Sequence, residues 1–129
     1  MGIATSKGAS SSAEQVFDML LCDSVNEVFN AVLGKIAGQA LLDAVKRHTS
    51  LELEDFPEKP NLVDQALTAH MGKAAKVLER KILRTVTGKT SAGTAPIEND
   101  HFDFAVEINR IREQFLKRKQ AANHPRTLE

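Results

Sequence analysis

The sequence predicts an all-α fold, a small bundle of about five helices with a Pro-containing turn at residues 51–60. Three observations carry that expectation. Apolar residues recur at three- and four-residue steps along most of the chain, the period of a helix with one buried face. A pattern of the form A-x-[Leu/Met]-G-K-x-A occurs twice, as Ala31-Val32-Leu33-Gly34-Lys35-Ile36-Ala37 and as Ala69-His70-Met71-Gly72-Lys73-Ala74-Ala75. Each copy opens an apolar helical stretch. Between them, Leu51-Glu52-Leu53-Glu54-Asp55-Phe56-Pro57-Glu58-Lys59-Pro60 reads as an extended turn that no helix crosses, because Pro57 and Pro60 fix φ and disfavour helix before them.

The elements follow in order. Residues 1–12 are Gly, Ala, Ser and Thr apart from Met1, Ile3 and Lys7, too poor in apolar surface to order themselves, and are expected to be a disordered leader. Ser12 can cap a helix from Ala13, with Gln15 at its third position. Val16, Phe17, Leu20, Leu21, Ser24, Val25, Val28, Phe29, Val32 and Leu33 carry its stripe to Gly34. Two glycines four apart, Gly34 and Gly38, each cost a helix about 1 kcal/mol relative to alanine, so a break near Gly34 or a close helix crossing is expected. The next helix runs to about His48, with Ile36, Ala40, Leu41, Ala44 and Val45 as its buried face. Lys46, Arg47 and His48 suit the negative end of its dipole.

Leu51, Leu53 and Phe56 are expected to pin the acidic turn to the core. Asn61 can cap a short helix from Leu62 to His70 with Leu62, Val63, Ala66 and Leu67 inward. Met71-Gly72 interrupts it. Ala74, Ala75, Val77, Leu78, Ile82, Leu83 and Val86 then form another stripe, leaving Lys76, Glu79, Arg80, Lys81 and Arg84 as the outer face. Thr87 to Pro96 has linker composition. A last helix, starting at Asn99 or Asp100 and ending near Ala122, carries Phe102, Ala105, Ile108, Ile111 and Phe115 on one stripe, with Phe104 and Leu116 off it. The expected organisation is therefore one helical domain over 13–122, with a core from 16–86, a linker at 87–99, a C-terminal helix at 100–122 and a disordered tail at 123–129.

Composition narrows the function. At 129 residues with 42% hydrophobic and 26% charged residues, the chain suits a single soluble domain. Its aromatics are all Phe, so no Tyr or Trp platform for bases or sugars exists. A net charge of zero offers no global field for nucleic acid or anionic lipid. The lone Cys22, in an apolar run, reads as a buried free thiol suited to a reducing cytoplasm. No run approaches a membrane span.

No catalytic constellation emerges. Gly88-Lys89-Thr90 ends like a phosphate-binding loop, but the required earlier glycine is Leu83 and a helix precedes it. His48, His70, His101 and His124 lack metal-ligand spacing. Ser10, Ser11 and Ser12 lie in the leader, and Glu52, Glu54, Asp55 and Glu58 cluster in a turn without a partner base. No cofactor and no metal are expected. Met1-Gly2-Ile3-Ala4-Thr5-Ser6 fits an N-myristoylation pattern at Gly2, which would make the chain a membrane-associated adaptor. The basic end of the last helix (Lys117, Arg118, Lys119, with Arg110 and Arg112 before it) offers a nucleic-acid reading. The favoured site is instead the stripe Phe102, Ala105, Ile108, Ile111 and Phe115, packing on the module or on a second copy as a homodimer, together with the faces beside Gly34 and Gly72.

The stretch from about Val28 to Val86 resembles a small archaeal family described as an output domain of signalling proteins and named after Nitrosopumilus. The resemblance lies in Leu33-Gly34-Lys35 opening a helix to Leu41-Leu42 and in the turn Leu53-Glu54-Asp55-Phe56-Pro57. It continues through Val63 to Leu67 and Met71-Gly72-Lys73-Ala74-Ala75-Lys76-Val77-Leu78-Glu79. It covers a little under half the chain. It implies a non-catalytic helical module in cytoplasmic signal transduction, and it carries over no catalytic residues. The expected function is thus non-enzymatic protein interaction or regulation in signalling, with a protein or a second copy as partner. Nucleic acid is the alternative, and a membrane enters only if Gly2 is acylated.

Overall fold

The structure, a computed structural model, describes residues 12–90 and 102–123. They form five α-helices and one 3-10 helix: α1 (Ser12–Leu33), α2 (Lys35–Thr49), the 3-10 turn (Leu53–Glu58), α3 (Pro60–Met71), α4 (Ala74–Thr90) and α5 (Phe104–Asn123). No strand occurs among the described residues. Residues 1–11, 91–101 and 124–129, with Gly2, His101 and His124, lie outside them; of the expected leader (1–12) and tail (123–129), only Ser12 and Asn123 are described, and both are helical.

α1 is the central element and packs against α2, α4, α5 and the 3-10 turn. Its buried face is Phe17, Leu21, Ser24, Val25, Val28 and Phe29, the expected helical steps. Ser24 is tolerated there because its hydroxyl donates to the Leu20 carbonyl at 2.7 Å. The two copies of the repeated pattern do the same structural job. Gly34 and Gly72 each take a positive φ (88° and 57°) and donate their N–H to the carbonyl four residues back, ending one helix before the next begins. A side chain at positive φ is costly, so glycine punctuates both junctions.

Gly38 serves the other purpose expected of this pair, a close crossing. A Cβ at Gly38 would lie 2.6 Å from Asn30 Oδ1 and 2.8 Å from the Phe29 carbonyl carbon and oxygen. Beside this contact, Gln39 Nε2 donates to Asn26 Oδ1 at 2.9 Å and to Asn30 Oδ1 at 3.2 Å. The crossing also rotates α2 away from the predicted face. Leu41, Leu42 and Val45 are buried and Ala44 half-buried, whereas Ala40 is exposed and Ile36 is 88% exposed. Ile36 sits at the first turn of α2, too close to the Gly34 break to reach the core.

The turn between the repeats is helical after all, a single short 3-10 element with Pro57 inside it. Glu52 and Asp55 form a reciprocal capping box around its start, with the Asp55 N–H donating to the Glu52 carbonyl at 2.9 Å as well. Phe56 and Pro57 are buried, and Leu51 and Leu53 pack partly against the core. Pro60, not Asn61, opens α3: it occupies the first turn, where a missing N–H costs nothing. α4 runs on into the first residues of the predicted linker, to Thr90, because Val86 and Thr90 still face the core. The Thr90 hydroxyl donates to the Val86 carbonyl at 2.9 Å.

α5 contacts α1, α3 and α4. It begins later than expected, at Phe104, and buries Phe104, Ile108, Ile111 and Phe115. Phe104, predicted off the stripe, is one of the most deeply buried side chains, while Phe102 and Ala105 are half-buried. The Phe17 and Phe115 rings pack with centroids 5.9 Å apart. One apolar cluster therefore runs from Phe17 to Phe115, with α5 as part of it.

Candidate functional site

Two places in the fold carry chemistry beyond packing: a groove on the surface of α1 and an ionic cluster around the enclosed Glu79, between α3, α4 and the entry to α5.

The groove lies where the amino-terminal half of α1 meets the 3-10 turn. It has a volume of about 460 Å³ and is lined by Gln15, Asp18, Met19, Cys22, Asp23, Leu53 and Glu54. Met19 is 65% exposed, an unusual position for a flexible, polarizable apolar side chain. Val16, on the same helix, is also exposed. Cys22, expected to be buried, is only half-buried, and its thiol donates to the Leu53 carbonyl at 3.1 Å. Carboxylates frame this apolar floor. Those that line it are Asp18 and Asp23 of α1 and Glu54 of the turn, and α1 as a whole carries Glu14, Asp18, Asp23 and Glu27 and no Lys or Arg.

Arg112 holds the groove's inner edge. Its guanidinium donates to the Pro57 carbonyl, stands 3.7 Å from Asp18 Oδ1 and lies over the Phe17 ring at 5.3 Å. α1, the turn and α5 are thus tied at one side chain, whose neighbours in a small dimple include Glu14 and Glu58.

The cluster is Asp64, Lys76 and Glu79, the first two half-buried. Glu79 is fully buried, contrary to its expected place on the outer face of α4. It lies in the row Ala75, Glu79, Leu83, Val86, and its four-residue spacing from Ala75 and Leu83 is the signal that places it inward. Lys76 Nζ approaches Glu79 Oε1 at 3.3 Å and Asp64 Oδ1 at 3.9 Å. The same ammonium donates to the Phe102 carbonyl at 3.1 Å and sits 4.6 Å from the centre of the Phe102 ring. Lys76 therefore ties α3 and α4 to the start of α5.

Both Glu79 oxygens and Asp64 Oδ1 are cut off from water and accept no well-formed hydrogen bond while both groups are ionised; a proton on Glu79 supplies one between them. Burial pushes the Glu79 carboxyl up to about 9; hydrogen bonding to and repulsion from Asp64 add to this, and Lys76 opposes it. Glu79 thus keeps its proton at neutral pH. With it neutral, the exposed surface of α4 holds basic groups and no ionised carboxylate of its own.

The other predicted residues fall as follows. Ile108, Ile111 and Phe115 are packed within the bundle, so they form an intramolecular seam in place of an open interaction face. Arg110 pairs with Glu107, whereas Lys117, Arg118 and Lys119 are exposed, with Lys119 Nζ 5.5 Å from the centre of the Phe115 ring. Lys89 of the Gly88-Lys89-Thr90 run bonds Glu27 of α1 at 2.9 Å. His48 and His70, distant in sequence, meet edge to face with ring centroids 5.6 Å apart. Among the described residues no group of three or more His, Cys, Asp or Glu is placed to hold a metal ion. No helix among them is long and apolar enough to cross a membrane. The groove had one legible signal, a helix with four carboxylates and no cation. Pairing that helix with the turn required the fold.

No protein-family model, no curated protein and no solved structure matches this chain.

Proposed function

We propose that this chain is a non-enzymatic helical module of protein interaction or regulation in cytoplasmic signal transduction, and that it works through the groove between α1 and the 3-10 turn. The observation that carries this reading is Met19, an exposed apolar side chain on the floor of a concave surface edged by Asp18, Asp23 and Glu54. Apolar anchors inside a polar rim are the usual anatomy of a protein-recognition surface. The resemblance of residues 28–86 to the archaeal signalling output family supports the same reading. So does the position of the strongly perturbed carboxyl, Glu79, which is enclosed in the core and out of reach of any substrate in the groove.

The test is a comparison of the wild-type chain with Met19→Glu as bait in an extract of the source cells. Met19 is exposed, so the variant keeps its helical circular dichroism and its Tm. The proteins recovered by the wild type are expected to fall at least tenfold with the variant. Equal recovery by both would reject the groove as the working surface.

A further inference from the structure

A groove of this charge selects a cationic occupant, and the chain itself carries one. Of the basic residues on α5, Arg110 is paired with Glu107 and Arg112 with Asp18. Lys117, Arg118 and Lys119 lie beyond Phe115, the last buried side chain described on the helix, and all three are exposed. Lys117 and Arg118 make no ion pair among the described residues, and Lys119 only overlies its own helix's Phe115 ring. The groove is the reverse case. Asp23 and Glu54 line it, and neither has an ion pair there.

Position joins the two halves. Arg112 touches Asp18, which lines the groove, so α5 passes the groove's edge on its way to its own basic end. Lys117 to Lys119 follow five to seven residues later, roughly 8–10 Å along the helix axis. Groove and basic end therefore both adjoin the amino-terminal half of α1, where Arg112 meets Asp18 and Phe115 meets Phe17. That is the arrangement a twofold contact needs, since each surface must meet its counterpart in both directions.

We propose that the occupant of the groove is the basic end of α5, Lys117 to Lys119, from a second copy of this chain, giving a twofold dimer with two reciprocal contacts. This rests on the reading of the groove as a docking surface. The aliphatic stems of the lysines and the arginine cover Met19 and Leu53, while their charged heads meet Asp23 and Glu54. Few side chains are involved on each side, and such a contact lies well below the roughly 1,200 Å² of stable complexes. The dimer is accordingly weak, and it is salt-sensitive because exposed charges are screened.

Sedimentation equilibrium of the full chain from 10 to 500 μM tests it. The wild type is expected to dimerise in 50 mM NaCl and to weaken at least tenfold in 500 mM. Lys117→Glu/Arg118→Glu/Lys119→Glu and Asp23→Lys/Glu54→Lys each alter exposed side chains only, and each is expected to be monomeric with unchanged circular dichroism. Combining the two sets reverses both charges and is expected to restore the dimer to within a few-fold of wild type. A wild type that stays monomeric at 500 μM in low salt overturns the proposal, as does a combined variant that stays monomeric. If the wild type is monomeric while Met19→Glu still loses its partners, the groove reading survives and only the second copy is excluded. The occupant is then a basic segment of another protein.

Discussion

Replacing Glu79 with glutamine should stabilise this protein, and by an amount that grows with pH. Glu79 is fully buried between Asp64 and Lys76, and its carboxyl is pushed up to about 9, against 4.5 for the free group. Between those two values the folded chain holds a proton that the unfolded chain has released. Fewer protons on the unfolded state mean that stability falls as pH rises, by up to about 1.4 kcal/mol per pH unit. The loss begins near pH 4.5, continues through neutrality and levels off above about 9. At pH 7 it amounts to about 3 kcal/mol as an upper bound, because a buried pair relaxes when one member ionises.

Glutamine has the same shape and nothing to titrate. Its amide can donate toward Asp64 as the protonated carboxyl does, and its oxygen still faces Lys76. Glu79→Gln should therefore match the wild type near pH 4.5 and exceed it by about 1–3 kcal/mol at pH 7. With no Trp or Tyr in the chain, the assay is urea unfolding followed by far-ultraviolet circular dichroism, at half-unit steps from pH 5 to 9. Parallel curves for the two proteins, or a variant less stable than wild type at pH 8, would refute the argument that Glu79 is held neutral by its surroundings.

Three further outcomes follow from particular contacts. Gly38→Ala drives a Cβ to within 2.8 Å of the Phe29 backbone and 2.6 Å of Asn30 Oδ1, so it should cost about 1–3 kcal/mol, although alanine favours helices; no loss in thermal unfolding would disprove the close crossing. Arg112→Ala removes the tie between α5, Asp18 and the Pro57 carbonyl and should lower stability by about 1–3 kcal/mol, read from the urea midpoint, with Arg112→Lys recovering only part of it. Phe104→Ala should cost about 3–5 kcal/mol and Val106→Ala less than about 0.5, a contrast that urea unfolding would lose if α5 were not an integral part of the core.

Much of this fold is legible in the chain because helix periodicity is a local property. The α1 stripe, the break at Gly34 and the second junction at Gly72 are all written in spacing and in residues that permit or forbid a conformation. The repeated A-x-[Leu/Met]-G-K-x-A pattern marks two helix ends because glycine at positive φ is cheap wherever it occurs. By contrast, Ile36 has the right spacing for the core and lies almost fully in solvent. The stripe says which residues share a face, and only the angle at which α2 leaves Gly34 says where that face points. Phe104 shows the converse: its steps of four, three and four to Ile108, Ile111 and Phe115 put it on the buried face, whereas Phe102, the residue chosen to start the stripe, precedes the helix.

The sequence by itself determined that the chain is helical, where two of its junctions fall and which residues are apolar enough to be enclosed. Only tertiary structure decided that Glu79 is enclosed beside Asp64 and Lys76, that the α5 stripe is used up inside the bundle, and that Met19 stands open beside carboxylates from two elements. The physical reason is range. Torsional preference and helical period act over a few residues. Desolvation, charge pairing and groove shape depend on neighbours brought from far along the chain, as Lys76 meets Phe102 and Arg112 meets Asp18.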